Sequence, residues 1–291
     1  MAPLITILTD FGDQEPYVAI MKGVIARIAP QARTVDLTHN IPPGNIQAAA
    51  LALLQAVPFF PEGAVHLVVV DPGVGSRRRP IAAAIGEALF VGPDNGVFTH
   101  LYQRLGLKKV VELAEPRYRL PVVSHTFHGR DIFSPAAAHL ANGVPLEAFG
   151  PAVADPERIA LPRLAETGPG VIGGEVIHAD RFGNLATSIA WLDWVGPDAL
   201  SLTPWLPMPL ERLGFVASRA RITVTPSASA PTQFDGIRRT FSDMERGELG
   251  VIIGSERHLD IVVNRGSAQE RLGARPGDPV ELRLPAAPKP V

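Results

Sequence analysis

Asp71 and Arg78 stand seven residues apart across the turn Pro72-Gly73-Val74-Gly75-Ser76, directly after the largely apolar run Val65-His66-Leu67-Val68-Val69-Val70. A carboxylate ending a strand buried on both faces, glycines that let backbone approach a ligand, and a guanidinium able to fold back onto the acid suit an active-site strand end. The same residues also suit a glycine turn that carries a surface ion pair. The flanking Arg77 and Arg79 read as ordinary solvated charges.

A second cluster, Ser124-His125-Thr126-Phe127-His128-Gly129-Arg130-Asp131, lies just before a helical pattern entered through Ser134. Turns that lead into helix amino termini favour anions and catalytic side chains. His125, His128 and Asp131 are candidate metal ligands. The usual helical zinc spacing is i, i+4 with a glutamate between, however, and Gly129 opposes a helix there. In the blandest alternative His128 only bonds backbone.

Asp10 follows the first apolar run, where an acid is placed to accept both hydroxyls of a ribose or to cap its own loop. In Asp180-Arg181-Phe182-Gly183-Asn184 a carboxylate suits an ammonium group, a ring suits stacking on a purine and an amide suits a base edge. A simple β-turn would satisfy that pentapeptide as well. Gly254-Ser255-Glu256 and Val263-Asn264-Arg265-Gly266-Ser267 are loop candidates of the same kind. Neither a G-x-G-x-x-G fingerprint nor a P-loop lysine occurs, so a nucleoside would have to be held by other means.

The elements that must carry these residues alternate in the first half of the chain. Strands are expected over 5–9, 34–37, 65–70 and 110–113, a strand or hairpin over 81–91, and helices over 16–28, 46–57, 97–105 and 135–141. That alternation predicts an α/β domain over residues 1–165, with a mostly parallel sheet flanked by helices. The stretch 164–170 has linker composition. Strands expected over 175–178, 219–225, 251–253, 259–263 and 280–284 predict a smaller, mainly antiparallel β-barrel-like domain over 170–291.

With 46% hydrophobic and 19% charged residues the chain reads as an ordinary soluble globular protein. A net charge of -2 leaves no electrostatic footprint for nucleic acid. The absence of cysteine excludes disulfides, thiolate catalysis and Cys-ligated metals, and it suits a reducing cytoplasm. The amino terminus lacks a signal-peptide pattern and no apolar run approaches membrane-spanning length, so a cytoplasmic protein with no membrane partner is expected.

Six stretches, taken in chain order, resemble the S-adenosyl-L-methionine (SAM) hydroxide adenosyltransferases, the water-using relatives of the fluorinase and chlorinase enzymes. They are Leu8-Thr9-Asp10-Phe11-Gly12, Asp71-Pro72-Gly73-Val74-Gly75 with Arg78, Gly92-Pro93-Asp94-Asn95-Gly96, Thr126-Phe127-His128-Gly129-Arg130-Asp131, Asp180-Arg181-Phe182-Gly183-Asn184 and Val263-Asn264-Arg265-Gly266-Ser267. Each motif is short, but all six run in family order from residue 8 to residue 267.

The resemblance implies a homotrimer that binds SAM between neighbouring subunits and joins water to its 5′ carbon, releasing adenosine and L-methionine. No cofactor or metal is implied, because SAM is the substrate. The implied catalytic set is Asp71, Arg78 and His128. Substrate binding falls to Asp10, Phe127 and Gly129 in the first domain, with Asp10 at the ribose. In the second it falls to Asp180 at the methionine ammonium, Phe182 and Asn184 on the adenine side, and Ser255 and Asn264. The halogenating relatives carry Tyr where Asp71 stands and Tyr with Ser or Gly where His128 and Gly129 stand, which points to water rather than halide. Their ribose-side Trp aligns with Gly44, and an Arg of their Ser-Arg pair aligns with Glu256. A SAM-binding sensor without turnover, a halide-dependent transferase and a metal-dependent hydrolase remain alternative readings.

Overall fold

The computed structural model describes residues 2–206 and 212–284. The chain divides into two compact units, Met1–Ala160 and Leu161–Val291. No helix among the described residues is long and apolar enough to cross a membrane.

In the first unit the apolar runs become β1 (Leu4–Thr9) and β3 (Val65–Val69), every residue of which is buried. Burial on both faces is what a central parallel strand requires, and β1 pairs in parallel with both β3 and β2 (Arg33–Thr38). Helix α1 (Tyr17–Ile28) buries Val18, Met21 and Ile25, spaced to fall on one face, and stops before Pro30. Helix α2 (Ile46–Ala56) is capped by Asn45, whose side chain accepts from the Ala48 amide at 2.9 Å.

The stretch 81–91 resolves as a hairpin, β4 (Pro80–Ile85) and β5 (Ala88–Pro93), followed by β6 (Leu107–Glu112). The sheet order is β2-β1-β3-β5-β4-β6, with β4 antiparallel to both neighbours, so the sheet is mixed. The expected helix over 97–105 is instead the single α-helical turn α3 (Thr99–Leu101) continued by a π-helical turn, Tyr102–Gly106. Helix α4 (Ser134–Ala141) follows a second π-helical turn, Gly129–Phe133. Met21 and Ile25 of α1, Ile5 and Leu67 of the sheet, and Phe133 and Ala137 meet in one core cluster.

Two features of this topology build the site. From β1 the chain crosses to β2 on one side and returns to β3 on the other, so a crevice opens at the carboxyl ends of β1 and β3, where open α/β sheets place ligands. Thr9 pairs with Val69, so Asp10 and Asp71 leave the sheet at the same edge. In addition, the antiparallel β4 begins at the edge where β3 ends. Arg78, two residues before β4, is thereby returned to Asp71.

The second unit is an antiparallel, nearly closed barrel-like sheet in the order β14-β13-β17-β8-β9-β16-β15. Its strands are β8 (Val171–Ala179), β9 (Leu185–Ala190), β13 (Arg221–Val224), β14 (Thr232–Asp235), β15 (Leu249–Ile253), β16 (His258–Val263) and β17 (Pro279–Arg283). A separate sheet joins β10 (Leu192–Trp194), β11 (Ala199–Leu202) and β12 (Leu213–Val216). The linker expected over 164–170 is overturned, because Ala165–Gly168 forms the strand β7, paired with β8. An exposed edge strand needs only main-chain pairing, so its polar, Gly/Pro-flanked composition resembles a loop.

Candidate active site

The end of β3 and the start of β4 bring Asp71 and Arg78 into a forked ion pair. Arg78 Nε donates to Asp71 Oδ1 at 2.9 Å, and Arg78 Nη2 donates to Oδ2. The pair is largely withdrawn from solvent, with 5% of the Asp71 side chain and 9% of the Arg78 side chain exposed. Such a buried pair is sustained only when further contacts satisfy it. The guanidinium carbon lies 5.2 Å from the Phe133 ring centre, and Arg78 Nη2 also lies 2.7 Å from His128 Nδ1. Gly75, at a φ of 76°, lets the turn close on the histidine loop, where a Cβ would sit 2.5 Å from the His125 carbonyl oxygen.

That third contact assigns the imidazole. A guanidinium only donates, so His128 Nδ1 accepts and the neutral ring carries its proton on Nε2. Burial first, and then the Arg78 charge, hold His128 below its ordinary value against the opposing pull of Asp71 and Asp131. The histidine is thereby kept neutral.

Asp71 and His128 line a cavity of about 460 Å³ together with Asp10, Phe11, Phe127 and Gly129. Asp10 Oδ2 accepts from the Gly44 amide at 2.8 Å, which leaves Oδ1 for a ligand. Phe11, Tyr17 and Phe127 form an edge-to-face trio with centroids 5.3–6.0 Å apart. A side chain on Gly129 would press on Met21 and Val69 at 3.2 Å, so a glycine keeps this wall of the cavity close to the sheet.

The possible metal set of His125, His128 and Asp131 is not assembled. His125 is exposed and His128 is tied to Arg78. Asp131 is fully buried, accepting from Arg130 Nε at 2.6 Å and from the Ser124 amide at 2.8 Å, so its work is to brace the loop carrying His128. The reading of Arg79 as a solvated charge is also corrected. Its Nε donates to the buried Asp94 at 2.8 Å and its Nη1 to Asp155 at 2.7 Å, because the start of β4 faces the end of β5. Arg77 is exposed.

In the second unit Asp180 Oδ1 accepts from the Phe182 and Asn184 amides at 2.8 and 2.9 Å, while Oδ2 accepts from Asn184 Nδ2 at 2.8 Å. The pentapeptide is therefore a carboxylate-nucleated turn, and Phe182 projects from it 69% exposed. Asn264 Nδ2 donates to the Met244 carbonyl at 2.8 Å, and Ser255 is exposed in the turn between β15 and β16.

The amino-terminal domain model of the SAM hydroxide adenosyltransferases matches residues 5–150, and the carboxyl-terminal domain model matches residues 174–281. The chain belongs to the SAM hydroxide adenosyltransferase family. Its relatives include the (R)-S-adenosyl-L-methionine hydrolase of Thermus thermophilus, 41% identical over 94% of this chain and 97% of that protein. The enzyme of the same name from Salinispora tropica is 40% identical over 98% of each. An uncharacterized conserved protein from Thermotoga maritima superposes with a TM-score of 0.81 at 33% identity, covering 96% of this chain and 99% of the other.

One acid of this SAM hydroxide adenosyltransferase escaped sequence reasoning. Asp260 of β16 has a buried Oδ1 without a hydrogen-bond partner. Burial, then the charges of Asp180 and Glu256, push its carboxyl up to about 8. The signal was present as a lone carboxylate between Leu259 and Ile261 in a strand whose only other polar residue is His258. Folded Asp260 keeps a proton that the unfolded chain has lost above roughly pH 4, so its contribution to stability falls as pH rises toward about 8, by at most about 1.4 kcal/mol per pH unit. Asp260→Asn is expected to flatten that decline, read from denaturant midpoints at several pH values. An unchanged slope would show that the group does not titrate in this way.

Proposed function

We propose that the protein is a SAM hydrolase that transfers the 5′-adenosyl group to water, releasing adenosine and L-methionine. The observation that carries this reading is the Asp71–Arg78–His128 chain at a cavity wall, in a family member matched along its whole length. The leaving sulfonium departs as a neutral thioether and needs no general acid, whereas neutral water must lose a proton as it bonds to carbon. The oxygen–C5′ bond forms, the C5′–S bond breaks with its electron pair passing to sulfur, and one proton goes to solvent in each turnover.

Asp71 is the proton acceptor in this reading. His128 Nδ1 is occupied by Arg78, so the histidine orients water through Nε2–H, and Arg78 stabilises the anionic character that grows on the oxygen. Asp10 receives the ribose diol, with Phe127 and Gly129 shaping that wall. Asp180, Phe182 and Asn184 receive the methionine ammonium and the adenine, Ser255 and Asn264 complete that end, and the chain assembles as a homotrimer.

The names of the relatives specify the (R) sulfonium epimer, so the test uses separated (S)- and (R)-SAM with metal-free protein in ¹⁸O-labelled water. The expected products from the accepted epimer are adenosine carrying ¹⁸O at the 5′ oxygen, equimolar methionine and one proton, with light scattering reporting three chains. Both epimers unchanged would overturn the hydrolase reading, and rescue only by added zinc would favour a metal-dependent one.

A further inference from the structure

His39 has no part in the reaction just described, yet it holds the segment that presents Asp10. It follows β2 at the same edge of the sheet from which Asp10 leaves β1. Its Nδ1 lies 3.0 Å from the hydroxyl of Thr9, its carbonyl accepts from the Gly12 amide at 2.8 Å, and its buried Nε2 lies 3.2 Å from Asp36 Oδ1. Lys22 Nζ donates to the other Asp36 oxygen at 2.6 Å. Thr9 is fully buried, and its hydroxyl accepts from the Phe11 amide at 3.3 Å.

The direction of this chain follows from charge. Asp36 Oδ1 lies 3.2 Å from Nε2 outside hydrogen-bonding geometry, and of the two neutral tautomers the one protonated on Nε2 avoids turning a lone pair toward that carboxylate. Nδ1 then accepts from the Thr9 hydroxyl, which in turn accepts from Phe11 N–H. Lys22, Asp36, His39 and Thr9 thus connect α1 and β2 to the backbone on either side of Asp10. His39 grips that backbone twice, through its ring at Thr9 and through its own carbonyl at Gly12. The gripped residues Asp10 and Phe11 line the cavity.

We propose that His39 is a positioning residue for the nucleoside end of the substrate: it holds the Thr9–Gly12 segment in the binding conformation, so that Asp10 and Phe11 meet the ligand without first being ordered. Ordering a segment at the moment of binding weakens affinity, and a brace that orders it beforehand returns that loss. The effect belongs to binding, since His39 does not line the cavity that Asp71 and His128 share. This inference rests on the assignment of Asp10 to the ribose.

The test compares His39→Ala, His39→Asn and His39→Gln in the full chain, each checked by thermal melting. His39→Ala is expected to raise KM for SAM by about tenfold with kcat changed less than about twofold, the pattern of lost uniform binding. Asn places an amide near the Nδ1 position and is expected to restore KM, whereas Gln reaches the Nε2 position and is not. In an Asp10→Ala background the Ala substitution at 39 is expected to raise KM by clearly less than it does alone, because only the Phe11 share of the brace remains to be lost. A fall in kcat with KM unchanged, equal failure of Asn and Gln, or full additivity with Asp10→Ala would overturn the proposal. Adenosine affinity measured by calorimetry keeps it separate from the hydrolase reading. If the wild-type protein consumes no SAM, an affinity about tenfold weaker in His39→Ala and restored in His39→Asn still supports the brace, and equal affinities overturn it.

Discussion

Asp71→Asn is expected to lower kcat by roughly 10²–10⁴-fold, the range typical for loss of a positioned proton acceptor, while the dissociation constant for SAM moves by less than about threefold. Asparagine keeps the shape of the side chain and one acceptor oxygen toward Arg78, so the fork is weakened without opening a cavity. What disappears is the basicity needed only as water attacks, an interaction of the transition state. His128→Ala is expected to act in the same direction. The double variant should fall little further, because the two side chains act through one Arg78-linked unit. Single-turnover rates beside calorimetric SAM binding separate the outcomes. Loss of binding with an unchanged single-turnover rate would remove both residues from the chemistry.

Arg78→Met is expected to cost about 3–5 kcal/mol of folding stability near pH 8 and to abolish measurable turnover. The methionine refills much of the volume over Phe133, but Asp71 is left as a withdrawn carboxylate with no counter-charge. Arg78→Lys keeps a charge but cannot reach two Asp71 oxygens and His128 with one planar fork, so it should recover stability before it recovers activity. Denaturant midpoints and turnover rates check both variants. A cost below about 1 kcal/mol, the scale of an exposed pair, would mean that Asp71 does not depend on Arg78 for its place in the fold.

Much of the framework is legible in the sequence alone. The buried strands β1 and β3 announce themselves because parallel strands covered on both faces must be continuously apolar, and the residues that end them, Asp10 and Asp71, stand out as the first charges after those runs. Helices α1 and α2 were equally readable, the first from its stop before Pro30 and the second from its Ala/Leu-rich run. The π-helical turns at Tyr102–Gly106 and Gly129–Phe133 were not, since a one-residue widening of a helix leaves apolar periodicity almost unchanged. Strand β7 was hidden for the opposite reason: it buries almost nothing, and only its pairing with β8 makes it a strand.

The site divides along the same line. Sequence alone determined which groups are available, the acid–glycine–arginine turn, the His128 loop and the Asp180 pentapeptide, because local runs and turn residues set which side chains leave strand ends. Only the tertiary structure decided how they are used. It carried Arg78 across fifty residues to His128 and so set which imidazole nitrogen holds the proton, and it withdrew Asp131 and Arg79 into bracing roles. It also isolated Asp260 beside other acids and aimed His39 at Thr9. Strand order and register create those contacts, and a hydrogen bond between residues so far apart leaves no periodic trace in the chain that forms it.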